Sequence, residues 1–341
     1  MKNKFIRWEN GILYVVNQQK LPLKEDYLAL KTLSSYYNAI RTLKVRGAPL
    51  IGVAAAYGVV SSVYKLNSLP LIRKTALLSI EYLKTARPTA VNIFNELSAL
   101  ESIIKSYSGN SSEQLLNVIQ NFADELLKRE EDRCRLIGLH GSKLIKNGMN
   151  ILTHCNTGML ATTGIGTALG IIYTAFAKGL KFHVYIPETR PLLQGGRLTA
   201  YELKSAGIPH TLITDNMRGH LFSNEMIDIT FVGADRIAMN GDTANKIGTF
   251  ESALFSHIFK KPFYIAAPTS TIDRTINNGS QIRIEERPGN EITTIGGKQV
   301  SVSEKCYNPA FDITPSKYIS GIITEKGISK PQVKCLKELF S

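Results

Sequence analysis

The sequence predicts an α/β fold, in which a mainly parallel sheet with helices on both faces follows a smaller, mostly helical N-terminal region. Beyond residue 148, short apolar segments of strand character alternate five times with amphipathic segments, about 20–30 residues apart. Right-handed β-α-β crossovers between parallel strands require this spacing. At 341 residues the chain exceeds most single cores, so we expect two domains, 1–125 and 126–341.

The N-terminal region opens with a turn signal and continues with helical periodicity. Asn10-Gly11 lies between two apolar alternations, a pattern that favours a tight β-hairpin. Apolar residues then recur at helical spacing, and β-branched runs are scarce. The predicted helical segments are 26–43, 51–66, 72–86, 90–107 and 112–130.

Five predicted strands organise the second region. They are residues 150–155, 182–187, 210–214, 229–237 and 262–268, and the predicted helices between them are 159–177, 196–207, 220–227 and 243–260. Open parallel sheets bind ligands beyond the carboxyl ends of their strands. The candidate residues at those ends are Cys155, Glu188, Asp215, Asp235 and Thr269.

Composition excludes several classes of protein. With 43% hydrophobic and 20% charged residues, the chain is neither collagen-like nor globally disordered. Four cysteines without a C-x-x-C pair indicate neither a zinc site nor a disulfide framework, so we expect a reducing, cytoplasmic compartment. Residues 159–177 are uncharged, but they are rich in Thr, Gly and Ala, so we expect a closely packed helix and no membrane span.

The charge balance points to an anionic ligand. Lys plus Arg number 41 against 28 Asp plus Glu, a formal net charge of +13, which is typical of proteins that bind nucleic acid, membrane surfaces or phosphorylated ligands. The lysines are spread over every segment, without the arginine-rich runs or interleaved aromatic residues of nucleic-acid binders. We therefore expect mostly solvated charge, no nucleic-acid partner and a few phosphate-binding groups.

Three segments have the chemistry to bind a phosphate, since each pairs a cation with a turn that leads into a predicted helix. They are Arg46-Gly47-Ala48-Pro49, Arg87-Pro88-Thr89, and residues 240–246, which end in Asn245 and Lys246. Exposed N–H groups at a helix start and a guanidinium can meet the same phosphate. An arginine before a helix is also common on solvated surfaces, so each segment alone permits both interpretations.

Cys155 and Asp235 each have a structural and a chemical interpretation. A cysteine at a strand end is often a small buried hydrophobe, but the polar turn at 156–158, leading into a helix, would favour a thiolate. Asp235 ends an apolar run, where it is either a structural cap or a general acid with a raised pKa. Because His154 and Cys155 are adjacent on one predicted strand, they should face opposite ways and share no metal ion.

A glycine pattern at Gly164, Gly166 and Gly170, with Glu188 further along the chain, imitates a dinucleotide-binding fingerprint. The true fingerprint turns directly after its strand, whereas these glycines start well after Cys155. Thr162, Gly166 and Gly170 fit one face of a packed helix instead. A nicotinamide-dependent enzyme remains the weaker alternative.

The ordered motifs resemble those of methylthioribose-1-phosphate isomerases, within the group that includes the α, β and δ subunits of initiation factor 2B and ribose-1,5-bisphosphate isomerases. The resemblance covers nearly the whole chain. The motifs are VRGAPLIGVAAAYG (45–58), ARPTAVNIF (86–94), THCNTGMLATTGIGTALG (153–170), ETRPLLQGGRLTAYEL (188–203), TDNM (214–217), VGADRIAMNGDTANKIGT (232–249), AAPTSTID (266–273), IEER (284–287) and NPAFDITP (308–315).

The resemblance implies a Rossmann-like C-terminal domain, a homodimer, no cofactor or metal, and isomerisation of 5-methylthioribose 1-phosphate in methionine salvage. The implied catalytic pair is Cys155 and Asp235, which the initiation-factor relatives generally lack. The implied substrate contacts are Arg46, Gly47, Ala48, Arg87, Gln194, Asn245 and Lys246. Two alternatives stay open: isomerisation of 5-deoxyribose 1-phosphate or ribose 1,5-bisphosphate, and a non-catalytic subunit like those of initiation factor 2B.

Overall fold

The computed structural model describes residues 3–87 and 91–341, apart from the side chain of Val91. The chain divides into two compact units. The first contains Met1–Asp132 and Met159–Ile165, and the second contains Arg133–Gly158 and Gly166–Ser341. The sequence predicts a single domain boundary after residue 125. The first unit instead extends to Asp132 and also includes Met159–Ile165.

The first unit starts with a three-stranded antiparallel sheet of β1 (Ile6–Glu9), β2 (Ile12–Val16) and β3 (Tyr27–Leu30). The predicted hairpin is confirmed, because β1 pairs with β2 and both turn residues, Asn10 and Gly11, have positive φ angles of 49° and 80°. The prediction of a helix from residue 26 is wrong at its start. Residues 27–30 pair with β2 instead, so pairing with a neighbouring strand overrides the helical spacing of the apolar residues.

Five helices complete the first unit, and the last one continues into the second unit. They are α1 (Leu33–Arg41), α2 (Ala48–Val63), α3 (Leu69–Lys84), α4 (Val91–Ser106) and α5 (Ser112–Gly141). The Thr32 hydroxyl accepts a hydrogen bond from the Ser35 N–H and so caps α1. Thirteen residues of α2 are buried, which makes it the central helix of the apolar core. The helical character of this region is confirmed.

The second unit is built around a seven-stranded sheet with the order β16 (Gly327–Ser329), β15 (Gly321–Thr324), β10 (Phe263–Ala266), β7 (Ile229–Val232), β4 (Asn150–Leu152), β5 (His183–Pro187) and β6 (His210–Ile213). Its strands are parallel except for β16, which runs antiparallel to β15. The strands and helices, in chain order, are β4 (Asn150–Leu152), α6 (Ala168–Ala177), β5 (His183–Pro187), α7 (Ala200–Ser205), β6 (His210–Ile213), α8 (Arg218–Ser223), β7 (Ile229–Val232), β8 (Arg236–Ala238), β9 (Thr243–Lys246), α9 (Thr249–Ile258), β10 (Phe263–Ala266), β11 (Ile272–Asp273), α10 (Asn290–Thr293), β12 (Thr294–Ile295), β13 (Lys298–Gln299), β14 (Phe311–Thr314), β15 (Gly321–Thr324), β16 (Gly327–Ser329) and α11 (Val333–Glu338).

The predicted mainly parallel sheet is confirmed, and its centre is covered on both sides. All four residues of β7 are buried, although successive side chains of a strand point to opposite faces. One apolar cluster packs Phe263 and Ile322 with Leu336 of α11, and another packs Leu152 with Phe222 of α8. This rigid sheet supports the loops at its carboxyl edge.

Two predicted helices of the second unit are shorter than expected. Residues 243–246 form β9, which pairs with β8 and β14 in a four-stranded sheet of order β11-β8-β9-β14. The predicted helix 159–177 contains only α6, so Thr162 and Gly166 share no helical face. Gly166 has a φ of +98°, and a Cβ there would meet the Thr157 carbonyl oxygen at 2.4 Å. Of the helices in the described chain, none combines the length and apolar character that crossing a bilayer demands.

Candidate active site

All five strand-end candidates follow parallel strands of the large sheet. Cys155 follows β4, Asp235 follows the adjacent β7, and each lies three residues beyond the last residue of its strand. The other three are Glu188 after β5, Asp215 after β6 and Thr269 after β10. Since the strands are parallel, these residues share the carboxyl edge of the sheet. The placement predicted from the sequence is therefore confirmed.

Cys155 lies in a loop rather than on a strand, which corrects the prediction that it alternates with His154. Strand β4 ends at Leu152, and Cys155 adopts a left-handed φ of +57°. Only 7% of Cys155 is exposed. Its N–H donates to Thr189 Oγ1 at 3.0 Å, and its carbonyl oxygen accepts from Thr199 Oγ1 at 2.6 Å. The backbone of Cys155 is therefore held by two side chains.

The segment after Cys155 is anchored to a buried carboxylate. Asn156 Nδ2 donates to Glu202 Oε1 at 2.7 Å, and the Tyr173 hydroxyl donates to Glu202 Oε2 at 3.1 Å. Burial, together with the charge of Glu202, raises the pKa of Tyr173. The predicted helix start directly after this turn is wrong. Helix α6 begins later, although Thr157 Oγ1 still accepts from the Leu169 N–H at 3.3 Å.

The turn after β5 is organised by Asp215. Its two carboxylate oxygens accept from the N–H groups of Thr189 at 3.0 Å and Arg190 at 2.7 Å. Burial raises the pKa of Glu188, and the nearby charge of Asp215 raises it further. Three strand-end candidates, Cys155, Glu188 and Asp215, thus lie in one network of loops.

Gln194 provides a polar group in a buried position. It lies at the start of a π-helical turn, Gly195–Thr199, and is only 6% exposed. Within residues 3–87 and 91–341, Gln194 Oε1 has no hydrogen-bond partner. A buried amide oxygen without a partner is costly, which is expected of a group that bonds a ligand. Strand-end reasoning alone missed this residue, because it comes well after β5.

Asp235 is half-buried between β7 and β8. Its N–H donates to the Ala244 carbonyl oxygen at 2.9 Å, which ties it to β9. Asn245, on β9, is 4% exposed and donates from Nδ2 to Thr249 Oγ1 at 2.9 Å. Lys246 donates from Nζ to the Ala310 carbonyl oxygen at 2.8 Å and lies over the Phe311 ring. Asn245 and Lys246 were expected in a helical first turn, and their position on β9 corrects that expectation.

Asp312 caps the helix that follows Asn245 and Lys246. It is the antiparallel partner of Asn245, and its carboxylate accepts from the Gly248 N–H at 2.7 Å and the Phe250 N–H at 3.1 Å. Burial raises the pKa of Asp312 to about 6. Carboxylates favour helix N-termini, so Asp312 stabilises the start of α9.

Arg218 joins several loops of this edge, and the sequence analysis missed it. Its side chain is 3% exposed and donates to the Asp215 carbonyl at 2.9 Å, Ser252 Oγ at 3.0 Å and Glu251 Oε2 at 2.6 Å. Burial, together with the charge of Arg218, lowers the pKa of His154 to about 4. The neutral His154 donates from Nε2 to the Ile247 carbonyl oxygen at 2.8 Å. The only signal was the position of Arg218 directly after the TDNM motif.

The remaining candidates belong to the first unit. Arg46 is half-buried and precedes Gly47, whose φ is +97°, and α2 begins at Ala48 as predicted. A Cβ on Gly47 would lie 2.1 Å from the Ala161 carbonyl oxygen, so only glycine fits. Arg87 is half-buried after α3. Pro88 and Thr89, which follow it in the predicted phosphate-binding segment, lie outside the described residues. Phosphate binding by Arg46 and Arg87 stays a prediction.

The parallel sheet, with candidate residues at its carboxyl edge, defines an α/β protein of the Rossmann-like class. The model of the initiation factor 2 subunit family matches residues 44–331, and the chain belongs to this family. A methylthioribose-1-phosphate isomerase of Caldicellulosiruptor saccharolyticus is 46% identical over 329 residues, covering 96% of each chain. One of Thermotoga maritima is 46% identical over 334 residues, covering 97% of this chain and 96% of the relative.

Two solved structures resemble the chain over nearly its full length. The 5-methylthioribose 1-phosphate isomerase from Pyrococcus horikoshii OT3 has a TM-score of 0.94 and 35% identity, covering 100% of this chain and 96% of that one. The subunit delta of translation initiation factor eIF-2B from A. fulgidus has a TM-score of 0.86 and 36% identity, covering 98% and 99%. The fold is thus common to an isomerase and an initiation-factor subunit.

Proposed function

We propose that the protein is an aldose–ketose isomerase that converts 5-methylthioribose 1-phosphate to 5-methylthioribulose 1-phosphate in methionine salvage, with Cys155 and Asp235 as the catalytic pair. One observation carries the proposal: relatives named for this isomerase are 46% identical over 96% of both chains. The two proposed catalytic residues also follow adjacent parallel strands at equal offsets, at the edge where such sheets bind ligands.

The reaction needs an acid and a site that excludes water. The anomeric oxygen of an aldose 1-phosphate is esterified, so the ring opens only if an acid protonates the ring oxygen. Asp235, half-buried, would supply and remove protons at the sugar oxygens. A hydrogen must then move from C2 to C1. Cys155 would either carry the C2 proton through an enediol-like species or position the substrate for a direct hydride shift.

Substrate binding is assigned to the polar and cationic residues that the family resemblance implies. Gln194 and Asn245 would bond sugar oxygens, since both are buried amides. Lys246 and the first-unit residues Arg46 and Arg87 would bind the phosphate, together with the backbone at Gly47 and Ala48 that starts α2. The proposed route uses protons and one carbon-bound hydrogen, and no metal or redox cofactor.

The test is turnover by the purified protein on three substrates: 5-methylthioribose 1-phosphate, 5-deoxyribose 1-phosphate and ribose 1,5-bisphosphate. We expect the highest kcat/KM for the first. A higher value for either of the others would move the assignment to that sugar phosphate. No turnover of all three would favour a non-catalytic subunit, the alternative that the likeness to subunit delta supports. Sedimentation of the same preparation tests the proposed homodimer.

Two variants test the catalytic pair. Cys155→Ser and Asp235→Asn should each lower kcat by about 10²–10⁴-fold, the usual contribution of a proton-transfer group. Asp228→Asn is the matched control, because Asp228 precedes β7 at the opposite end of the strand that Asp235 follows. Cys335→Ser, on α11, is the control for the thiol. Near wild-type turnover by folded Cys155→Ser and Asp235→Asn proteins would refute the pair.

A further inference from the structure

Two buried threonine hydroxyls bind the peptide groups of Cys155 from opposite sides. Thr189 Oγ1 accepts from the Cys155 N–H at 3.0 Å, and Thr199 Oγ1 donates to the Cys155 carbonyl oxygen at 2.6 Å. Both threonines are 0% exposed. We propose that Thr189 and Thr199 are positioning residues that hold Cys155 in its left-handed conformation and thereby set the direction of its thiol. The inference rests on the proposed catalytic role of Cys155.

Cys155 needs such a restraint because its backbone is in an unfavourable region. Its φ of +57° places Cβ close to the neighbouring backbone, a conformation that non-glycine residues other than Asn and Asp rarely adopt. Such residues persist only when their surroundings over-determine them, and they concentrate at functional sites. If Cys155 relaxed to a negative φ, its Cβ and thiol would point in another direction.

The Thr189 hydroxyl is itself held in place. Thr189 has a φ of +64°, an outlier for a β-branched residue. Asp215 fixes this turn by accepting from the N–H groups of Thr189 and Arg190. The Thr189 hydroxyl donates to the Pro187 carbonyl oxygen at 3.1 Å. Because its one proton is used there, the lone pairs of Oγ1 remain for the Cys155 N–H.

The Thr199 hydroxyl has the complementary polarity. Thr199 is the last residue of the π-helical turn Gly195–Thr199. Its hydroxyl donates to the Cys155 carbonyl oxygen, and Oγ1 accepts from Asn156 Nδ2 at 3.2 Å. Asn156 is also bound to Glu202, so the residue after Cys155 is fixed as well. One threonine therefore binds the N–H of Cys155 and the other binds its carbonyl oxygen, which restrains the two peptide groups on either side of the Cys155 Cα.

The experiment removes each hydroxyl at nearly constant volume. Thr189→Val and Thr199→Val are compared with Thr189→Ser and Thr199→Ser, which keep the hydroxyl. Thr314→Val is the matched control, because Thr314 is also 0% exposed in the second unit and its hydroxyl has no hydrogen-bond partner in the described chain. For each full-length protein, kcat and KM are measured with 5-methylthioribose 1-phosphate. The rate of Cys155 alkylation by iodoacetamide is measured against pH by peptide mass spectrometry.

We expect each valine variant to lower kcat about tenfold or more, as a misdirected group does, with KM changed less than about threefold. The pH profile of Cys155 alkylation should shift in the same variants. Serine variants should recover kcat to within about threefold of wild type, and Thr314→Val should match wild type. A merely structural role would reduce stability but leave both the kcat of folded protein and the alkylation profile unchanged, and that result in both valine variants would overturn the inference.

Two further measurements keep the outcome decisive. If the valine variants do not fold, Asp215→Asn takes their place, since an amide offers one acceptor oxygen to the Thr189 and Arg190 N–H groups instead of two. An unchanged kcat and alkylation profile in Asp215→Asn would overturn the inference. If the wild type turns over no sugar phosphate, the proposed function fails, while the alkylation profiles still decide whether these threonines set the position of the thiol.

Discussion

The two edges of the seven-stranded sheet are built differently. At the carboxyl edge, buried polar side chains such as Thr189, Glu202 and Arg218 hydrogen-bond to the strand-end loops. At the amino edge, where α9 ends and β10 and β15 begin, an open hollow of about 470 Å³ has a basic lining. Its lining residues are Ser256, His257, Lys260, Lys261, Pro262, Lys317, Tyr318, Ile319 and Ser320.

The two edges differ in whether their charged groups are held in fixed positions. Lys260 and Lys317 are exposed and Lys261 is half-buried, and none of the three forms an ion pair within residues 3–87 and 91–341. Lys317 lies over the Tyr318 ring, but no ion pair in the described chain fixes any of the three, so they contribute electrostatic potential and little fixed geometry. The carboxyl edge carries charges of both signs, and hydrogen bonds fix the positions of groups such as Asp215 and Arg218. We therefore expect directed chemistry at the carboxyl edge, and we expect that most of the net charge of +13 takes no direct part in it.

The largest stability effect is expected from the buried arginine of the carboxyl edge. Arg218→Met would remove the hydrogen bonds that the guanidinium donates to the Asp215 and Gly248 carbonyl oxygens and to Ser252 Oγ. Removing one partner of a buried charged network costs about 3 kcal/mol or more of unfolding free energy. Urea unfolding followed by circular dichroism measures it. Fluorescence would not, because the single tryptophan, Trp8, lies in the first unit.

Arg283→Met is the control for this prediction. Arg283 is exposed and belongs to the same unit, so its replacement should change the unfolding free energy by less than about 0.5 kcal/mol. Equal losses for the two variants would show that the hydrogen bonds of Arg218 add nothing beyond the loss of a surface charge. The contrast between the network and the exposed cations would then be wrong.

The sequence predicted the carboxyl edge well because strand ends are a local signal. Apolar runs mark the parallel strands, and the residue that follows each run must lie at one edge, which located Cys155, Asp215 and Asp235. Strand β9 was predicted as a helix, since residues 243–246 continue without a break into the periodicity of α9. Its strand partner, β14, lies more than sixty residues further along the chain, and no local pattern reveals that pairing.

The restraints on the site could not be predicted from sequence. The sequence does not reveal the positive φ angles of Cys155 and Thr189, because neither residue is a glycine or an asparagine. The partners of Arg218 come from loops after different strands and meet only once the sheet has formed. Gln194 entered through resemblance to a family and not through its spacing. Local patterns identify the edge, whereas long-range hydrogen bonds determine its geometry.

We expect a smaller effect on the pH dependence of the unfolding free energy, and we expect it from His154. Burial lowers its pKa to about 4 in the folded protein from 6.5 in the unfolded chain. The unfolded chain therefore binds more protons between these values, so stability present above pH 6.5 is lost as the pH falls towards 4. The loss attributable to His154 should be roughly 2 kcal/mol between pH 7 and pH 5.

The measurement is the unfolding free energy of wild type minus that of His154→Gln, at several pH values. The difference is needed because Asp312, whose pKa is raised to about 6, titrates in the same range with the opposite sign. Glutamine retains a donor that can reach the Ile247 carbonyl. His220→Gln, at an exposed histidine of the same edge, should leave the slope unchanged. A difference that stays constant from pH 5 to pH 7 would contradict a buried neutral His154.

The smallest effect is expected at the amino edge. Replacing Lys260, Lys261 and Lys317 by serine should leave kcat/KM for the sugar phosphate within about twofold at 0.15 M salt. The edges are separated by at least the four residues of β10, about 13 Å, which exceeds the Debye length of about 8 Å. The control replaces Lys298, Lys305 and Lys326, which carry the same charge on other exposed segments. A loss above about fivefold in the first triple variant alone would mean that the hollow takes part in catalysis, and that fixed geometry is not the property that distinguishes the two edges.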